Sequence, residues 1–383
     1  MAHQADRMTA PARILHLHSS FSLGGKEARA TRLMNLMAPR AAHTVLSAVP
    51  DALSARDAIA PEIAVDFPGS VAPALHGKPG IRRYRALARH MQAFDLVLSY
   101  NWGATDGVMA HRLLSPFMRL PPLIHHEDGF NEDEALRRAW KRNAFRRLAL
   151  PTAQALVVPS ELLAQIARTE WGREARLIRN GIVVTTYQCP PDVAIAGLDR
   201  RPGDVVVGTV AGLRAVKDLP RLVRAVAKLS PQVRLVIVGE GPEHAAIAAE
   251  AQAQGIADRL VMPGFMPQPH RWIGHFDVLA LSSRSEQMPI AVVEAMAAGL
   301  PVVSPAVGDV AAMVSEVNRP FIVGMQADLA DALAPLADDA ALRQRVGVAN
   351  AARAATLFDE ASMVAAYDAL YAAALGGRSL FTG

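Results

Sequence analysis

Two carboxylates eight residues apart, Glu286 and Glu294, stand in the stretch Ser285-Glu-Gln-Met-Pro-Ile-Ala-Val-Val-Glu-Ala-Met-Ala-Ala-Gly-Leu-Pro301. Glu294 has apolar neighbours on both sides, and a buried carboxylate costs several kcal/mol unless something pairs with it. Residues 279–281 read as the end of a strand and 282–288 as a loop. Pro289 suits the first turn of a helix, which Gly299 stops before Pro301 opens the next strand. Glu286 then sits at the carboxyl end of a strand, and Glu294 lies about 7 Å further along the helix axis. Between them, the free N–H groups near Ile290 and Ala291 form a ready anion site. An anion cradle flanked by two acceptors of hydroxyl hydrogen bonds fits a nucleotide sugar. Spacing alone equally allows Glu294 to pair with a core arginine while Glu286 stays in solvent.

The elements that must position these groups alternate along the chain. Apolar runs at 13–18, 43–49, 95–100, 122–126, 155–159 and 176–181 read as strands separated by helical patterns, with Gly24-Gly25 opening the first helix. After an irregular, Pro-rich stretch at 189–202 the alternation restarts. Strands at 204–210, 233–239, 260–263, 277–281 and 301–304 alternate with helices at 219–229, 243–254 and 290–298. Such alternation predicts parallel α/β sheets, and two runs predict two doubly wound domains with ligands at the carboxyl ends of the strands. The expected domains are 1–185 and 186–359, with the helix at 360–383 a candidate to complete the first.

Composition agrees with this picture. Of 383 residues, 51% are hydrophobic and 20% charged, a profile that suits a well-buried globular chain and excludes a disordered one. The one cysteine, Cys189, excludes an intrachain disulfide and points to a reducing compartment. Residues 1–13 lack the apolar core of a secretory signal, and no run reaches the roughly 18 apolar residues of a membrane span. A cytoplasmic location is the expectation.

Several motifs then fall in one order. The Glu286–Glu294 stretch resembles the Glu-x7-Glu motif of the retaining GT-B glycosyltransferases of family 4, the glycosyl transferases group 1 type. Ser22-Leu-Gly-Gly-Lys-Glu27 resembles that family's amino-terminal Gly-Gly loop, and Asn180-Gly181 its Asn-Gly before the interdomain linker. Val210-Ala-Gly-Leu-Arg-Ala-Val-Lys-Asp218 is similar to its phosphate loop. Val238-Gly-Glu-Gly-Pro242 and Glu294-Ala-Met-Ala-Ala-Gly-Leu-Pro-Val-Val303 are close to its usual wording.

The resemblance implies an α/β GT-B fold, two Rossmann-like domains facing across a cleft, the second binding the nucleotide sugar. It implies a retaining hexosyltransferase that carries a sugar from a nucleotide diphosphate donor to a hydroxyl acceptor, in polysaccharide or glycolipid synthesis. Glu294 is then expected on the donor's ribose hydroxyls, Glu286 near the transferred sugar and Lys217 on the diphosphate, where its ammonium stabilises the leaving charge. Pro289 and Ile290 would present the helix start, and Gly24 and Gly25 would let backbone approach the diphosphate. The family's usual Arg is Gly212 here, so Arg214 is the candidate substitute. Its Gly-Phe-Gly after the first Glu is replaced by Gln287-Met288-Pro289. A histidine beside the donor sugar is matched best by His125, with His126 the alternative. Rival readings are a sugar- or nucleotide-binding protein without turnover and a nucleotide-sugar epimerase.

The clustered His and Glu of Leu123-Ile-His-His-Glu-Asp-Gly129 could instead hold a metal, but no third ligand with suitable spacing appears, and no Asp-x-Asp pair occurs in the sequence. No metal or other cofactor is expected. Charge is uneven: residues 1–185 hold 24 Lys/Arg and 16 Asp/Glu, residues 186–383 hold 16 and 20. The excess gathers in 81–89 and 137–147, where Arg82, Arg83, Arg137, Arg138, Arg146 and Arg147 are interleaved with Trp140 and other aromatics. These read as a face for an anionic membrane and a lipid-linked or saccharide acceptor, at the inner side of the cytoplasmic membrane. Nucleic acid is disfavoured, because no binding motif accompanies the charge.

Overall fold

The computed structural model describes residues 10–78, 80–130, 134 and 138–381. The chain divides into two compact units, residues 1–179 with 363–383, and residues 180–362. The division falls at 179/180, six residues before the expected point.

In unit 1 the order is β1 (Ala12–His18), α1 (Gly25–Leu36), β2 (Ala41–Ser47), β3 (Val65–Asp66), α2 (Ile81–Met91), β4 (Leu96–Tyr100) and α3 (Thr105–Leu114). Then come β5 (Leu123–His126), α4 (Trp140–Ala149), β6 (Ala155–Val158), α5 (Glu161–Ile166) and β7 (Arg176–Leu177). Among the described residues these strands form one parallel sheet ordered β3-β2-β1-β4-β5-β6-β7. The order reverses beside β1, the topological position at which doubly wound sheets bind ligands.

Unit 2 runs α6 (Val184–Tyr187), β8 (Val205–Val210), α7 (Leu219–Ala227), β9 (Val233–Val238), α8 (His244–Ala253), β10 (Leu260–Gly264), β11 (Val278–Ala280) and α9 (Ile290–Ala297). It continues with β12 (Val302–Pro305), α10 (Val310–Met313), β13 (Ile322–Val323), α11 (Leu329–Asp338) and α12 (Ala340–Leu357). Its sheet order is β10-β9-β8-β11-β12-β13, again parallel. The last helix, α13 (Glu360–Ala374), leads the chain back into unit 1, where Met363, Tyr367, Leu370 and Tyr371 join its core.

Local sequence explains most of these elements. Val205-Val-Val-Gly-Thr-Val210 is apolar throughout because a parallel strand is covered on both faces. In α7, Leu219, Leu222, Val223 and Val226 are buried at helical spacing while Arg221 and Arg224 point outward. α2 repeats the pattern with Tyr84, Leu87, Ala88 and Met91. α9 is buried over Ala291–Ala297, so it runs inside unit 2 rather than along its surface. Gly241 (φ +155°) lets two loops at the strand ends touch, since a Cβ there would lie 2.4 Å from the Leu213 carbonyl oxygen.

Candidate functional site

The loops after β8 and β11 are tied to one another. The Arg284 N–H donates to the Val216 carbonyl (2.8 Å), Ser282 Oγ donates to the Lys217 carbonyl (2.8 Å) and Arg284 Nε reaches Asp218 Oδ2 (3.0 Å). These bonds bring together two of the residues singled out from sequence. Lys217 Nζ lies 2.5 Å from Glu286 Oε1, which also accepts from Ser283 Oγ at 2.7 Å. Their side chains are 17% and 11% exposed, so the pair is reachable yet partly sheltered from water. Behind it, Gly308 (φ +53°) permits close backbone approach; a Cβ there would sit 2.4 Å from the Gln287 carbonyl oxygen.

Pro289 is not in the first turn of α9, as the sequence suggested, but caps it in an extended conformation, and its carbonyl accepts from Val292 N at 3.1 Å. The N–H groups of Ile290 and Ala291 therefore open the helix without intrahelical acceptors. Arg214 is exposed and doubles back: its Nε lies 3.5 Å from where a Gly212 side chain would begin. The guanidinium thus covers the position that the resemblance assigns to an arginine.

Glu294 is 8% exposed, and its partner is neither an arginine nor solvent. The Tyr187 hydroxyl donates to Oε1 at 3.0 Å. Burial pushes the carboxyl up to about 7, and the Tyr187 bond works in the opposite direction by favouring the ionised form. Tyr187 was missed in the sequence because it lies 107 residues away, on a four-residue helix that ends just before the stretch read as irregular.

In unit 1, Gly24 caps α1 in an extended conformation and Gly25 is its first residue, with no side-chain cap. Neither puts a side chain over the first N–H groups. Histidine placement departs from expectation. His125 is completely buried, its Nδ1 sharing a hydrogen bond with Ser99 Oγ (2.8 Å) and its Nε2 lying 3.6 Å from Glu127 Oε2. His126 is also buried; its ring nitrogens face the Ser99 carbonyl and the Tyr371 hydroxyl, each at 3.3 Å, and burial lowers it to about 3. The last residues of β5 are covered on both faces of the sheet, so neither imidazole is presented at the strand end. Past them, Asp128 and Arg29 form a buried bidentate pair. Burial alone would raise Asp128, but the guanidinium prevails and holds it below its ordinary range.

The basic face also needs correction. Arg146 is fully buried, bonded to Glu127 (3.2 Å) and Glu134 (3.4 Å) and enclosed by Trp102, Phe130 and Trp171 at 5.1–5.4 Å. The helical period that makes α4 amphipathic turns this one arginine inward. Arg83 is engaged with Asp106 (2.7 Å) and with the carbonyls of Leu75 and Gly77. Arg138 pairs with Glu170 (2.8 Å). Arg82, Arg147 and Trp140 do face outward, Trp140 74% exposed, and Arg137 lies outside the described residues.

No group of three or more His, Cys, Asp or Glu side chains among the described residues could hold a metal ion, and none of their helices is long and apolar enough to cross a membrane. A cavity of about 760 Å³ opens at the amino ends of β1, β4 and β5, lined by Arg13, Asp95, Arg119 and Arg378 among others, and none of the expected site residues borders it.

Residues 194–353 match the family model described as glycosyl transferases group 1. Over 216 residues the chain is 31% identical to the 2-deoxystreptamine glucosyltransferase of Streptomyces kanamyceticus, covering 52% of this chain and 55% of the relative. It is 28% identical to the lipopolysaccharide core biosynthesis glycosyltransferase LpsD of Rhizobium meliloti, covering 55% and 61%. The chain thus spans a little over half the length of these curated relatives. Among solved structures, Anabaena Alr3699/HepE in complex with UDP superposes with a TM-score of 0.75 at 20% identity, covering 94% of this chain and all of that one. The lipopolysaccharide-biosynthesis glycosyltransferase WaaG superposes at 0.66 and 16%, covering 93% and 99%. These likenesses show the fold, and the fold class is the GT-B one expected from the sequence: α/β, with two doubly wound units.

Proposed function

We propose that this chain, whose residues 194–353 match the model of the glycosyl transferases group 1 family, moves a hexosyl group from a nucleotide diphosphate sugar to a hydroxyl acceptor with retention of configuration. The observation that carries the reading is the Lys217–Glu286 pair, held by cross-linked loops at the strand ends beside the open start of α9. A diphosphate offers Lys217 a stronger partner than one carboxylate and takes two further donors from the N–H groups at Ile290 and Ala291. Arg214 adds a second cation. Glu286, released from Lys217, accepts a hydroxyl hydrogen of the transferred sugar. Glu294 accepts from the ribose hydroxyls. Gly24 and Gly25 keep side chains off the start of α1, where the Glu27 carboxylate paired with Lys26 now folds back and an incoming anion would have to replace it.

In the transfer step the bond between the anomeric carbon and the diphosphate oxygen breaks, and the acceptor oxygen bonds to the same face of that carbon. The departing diphosphate oxygen takes the acceptor's proton. Lys217, Arg214 and the helix start stabilise the charge that develops there. No protein nucleophile takes part, and neither buried histidine touches the reacting atoms. The step needs no metal, in keeping with the absence of an Asp-x-Asp pair in the sequence.

A saccharide or lipid-linked acceptor in cell-surface polysaccharide or glycolipid synthesis fits the named relatives and the outward-facing Arg82, Arg147 and Trp140. Those side chains would hold unit 1 on the inner face of the cytoplasmic membrane. Screening UDP-, GDP- and ADP-sugars for thermal stabilisation identifies the donor, because a ligand of the native state raises its apparent stability. Chelator-treated protein is then assayed with that donor, and the product's anomeric configuration is read by NMR. Absence of stabilisation by every nucleotide sugar would sink the reading. An inverted product, or strict metal dependence, would sink the proposed step.

A further inference from the structure

Glu294 is placed inside unit 2 with a single side-chain partner among the described residues, and that partner sits on the four-residue helix α6. Tyr187 ends α6, its ring meets His270 edge-on (centroids 5.8 Å apart, planes at 71°), and its hydroxyl donates to Oε1 of Glu294 at 3.0 Å. The elements packed against α9 are α6, the turn at 273–275, β12, α10 and α12, and β12 carries no titratable side chain. Besides Tyr187 they carry His275, Arg343, Arg345 and Arg353. His275 Nε2 is engaged by the Val193 carbonyl, Arg343 by the carbonyls of Leu336 and Ala337, and Arg353 by those of Ala312 and Met313. Asp309, at the start of α10, and Glu286, at the loop before α9, are the nearest acids in sequence. Among the described residues only Tyr187 reaches the Glu294 carboxylate.

We infer that Tyr187 is a positioning residue for Glu294: its O–H pins Oε1 in one rotamer and leaves Oε2 turned to the ligand. The inference rests on the reading of Glu294 as the acceptor for the donor's ribose hydroxyls. A carboxylate free to rotate in a buried site would present either oxygen, and neither in a fixed direction. A second hydrogen bond to the non-ligating oxygen removes that freedom before the ligand arrives. The same bond favours the ionised form, the one with two free acceptor sites on each oxygen. Tyr187 therefore sets both the direction and the charge with which Glu294 meets a diol.

The test titrates UDP, GDP and ADP into full-length wild type, Tyr187→Phe and Glu294→Gln by calorimetry between pH 5.5 and 8.5. Phenylalanine keeps the ring against His270 and removes only the hydroxyl. With the diphosphate that binds, the wild-type affinity should fall on the acid side of neutrality. In Tyr187→Phe that midpoint should move up by about one pH unit, as expected for losing a hydrogen bond to a charged group. Glu294→Gln should lose that midpoint and keep only the dependence set by the ligand's own terminal phosphate, whose second ionisation lies at about pH 6. A Tyr187→Phe curve that superimposes on wild type, or one lowered equally at every pH, overturns the inference while the donor reading stands. Binding of none of the three diphosphates to wild type overturns the donor reading and the inference with it. The carboxyl 13C resonance of Glu294, assigned through Glu294→Gln, gives the titration without any ligand, and an unchanged midpoint there also refutes the role of Tyr187.

Discussion

The two units solve the same folding problem with different interiors. Unit 1 buries His16, His18, His43, His125 and His126, together with the Arg29–Asp128 pair and Arg146 between two glutamates. Unit 2 is packed mainly with Val, Leu, Ile and Ala on both faces of its sheet; its buried polar groups include the hydrogen-bonded Ser315, Asn318 and Asn350 and the acids Glu294 and Asp309, and none of its histidines is buried among the described residues. His16 and His43 share a hydrogen bond (3.0 Å), His16 also meets the Tyr100 hydroxyl (3.3 Å), and His18 and His126 stack on the Tyr100 ring. Burial lowers His16 and His18 well below their ordinary value, His43 to about 4 and His126 to about 3. The difference teaches that one sheet topology tolerates a core rich in histidine and ion pairs or a mainly aliphatic one. The pH response of each half then follows from its side chains and not from its fold.

The largest expected effect is acid splitting of the molecule. The unfolded state takes up protons at histidine as pH falls through about 6.5, whereas the folded state resists down to about 4 at His43 and 3 at His126. Unit 1 therefore loses stability across that window, by roughly 1.4 kcal/mol for each tenfold weakening of proton binding that folding imposes on a buried imidazole. Glu294 runs the other way: with a folded value near 7 against 4.5, its contribution is complete below pH 4.5 and lost as pH rises through 7. Hydrogen exchange followed by peptide mapping at pH 7.5 and 5.0 should show peptides from 10–179 deprotected far more than those from 180–362. Equal deprotection would mean that the buried imidazoles are not what divides the two units.

Arg146→Met comes next. It leaves Glu127 and Glu134 facing an uncharged side chain, and breaking a buried pair costs about 3–5 kcal/mol. Thermal unfolding should place that loss in unit 1, with the transition of unit 2 unmoved. A loss below about 1 kcal/mol would return Arg146 to the outward-facing role expected from its sequence.

Lys217→Ala sharpens the contrast from the other side. Its pair with Glu286 is partly exposed, so stability should change by about 1 kcal/mol or less. Turnover of the nucleotide sugar should fall by roughly 100- to 1,000-fold, the usual effect of removing one group that stabilises developing charge. Equal losses of stability and rate would make the pair structural.

The smallest effect concerns the outer surface of unit 1. Arg82→Gln with Arg147→Gln should weaken binding to anionic vesicles by about 2 kcal/mol at low salt, near 1 kcal/mol per basic residue, with thermal stability unchanged. Wild-type protein that ignores such vesicles would leave these arginines as a solvated face.

What the sequence disclosed about the site follows the range of the interactions. Glu286, Pro289 and Ile290 lie on one loop and helix start, and the strand-loop-helix reading places them together; only the turn assigned to Pro289 shifted. Lys217 is 69 residues from Glu286, yet both follow parallel strands that pair with each other. The short strands β3 and β13, two residues each, left no periodicity to detect. His125 and Arg146 were misplaced for a common reason: their residue types suggest exposure or chemistry, and only their surroundings in space reverse that.

By itself the sequence determined the alternation of parallel strands and helices, the two-unit plan, the glutamate and lysine of the candidate site, and the excess of positive charge in the first half. Hydrophobic period, turn residues and net charge are properties of neighbours along the chain, so they can be read without coordinates. The tertiary structure alone decided that Tyr187 answers Glu294 across 107 residues, that Glu127 and Glu134 draw Arg146 inward, and that both histidines of β5 are covered. A buried polar group takes whatever partner packing brings within about 3 Å, and sequence separation places no limit on that choice.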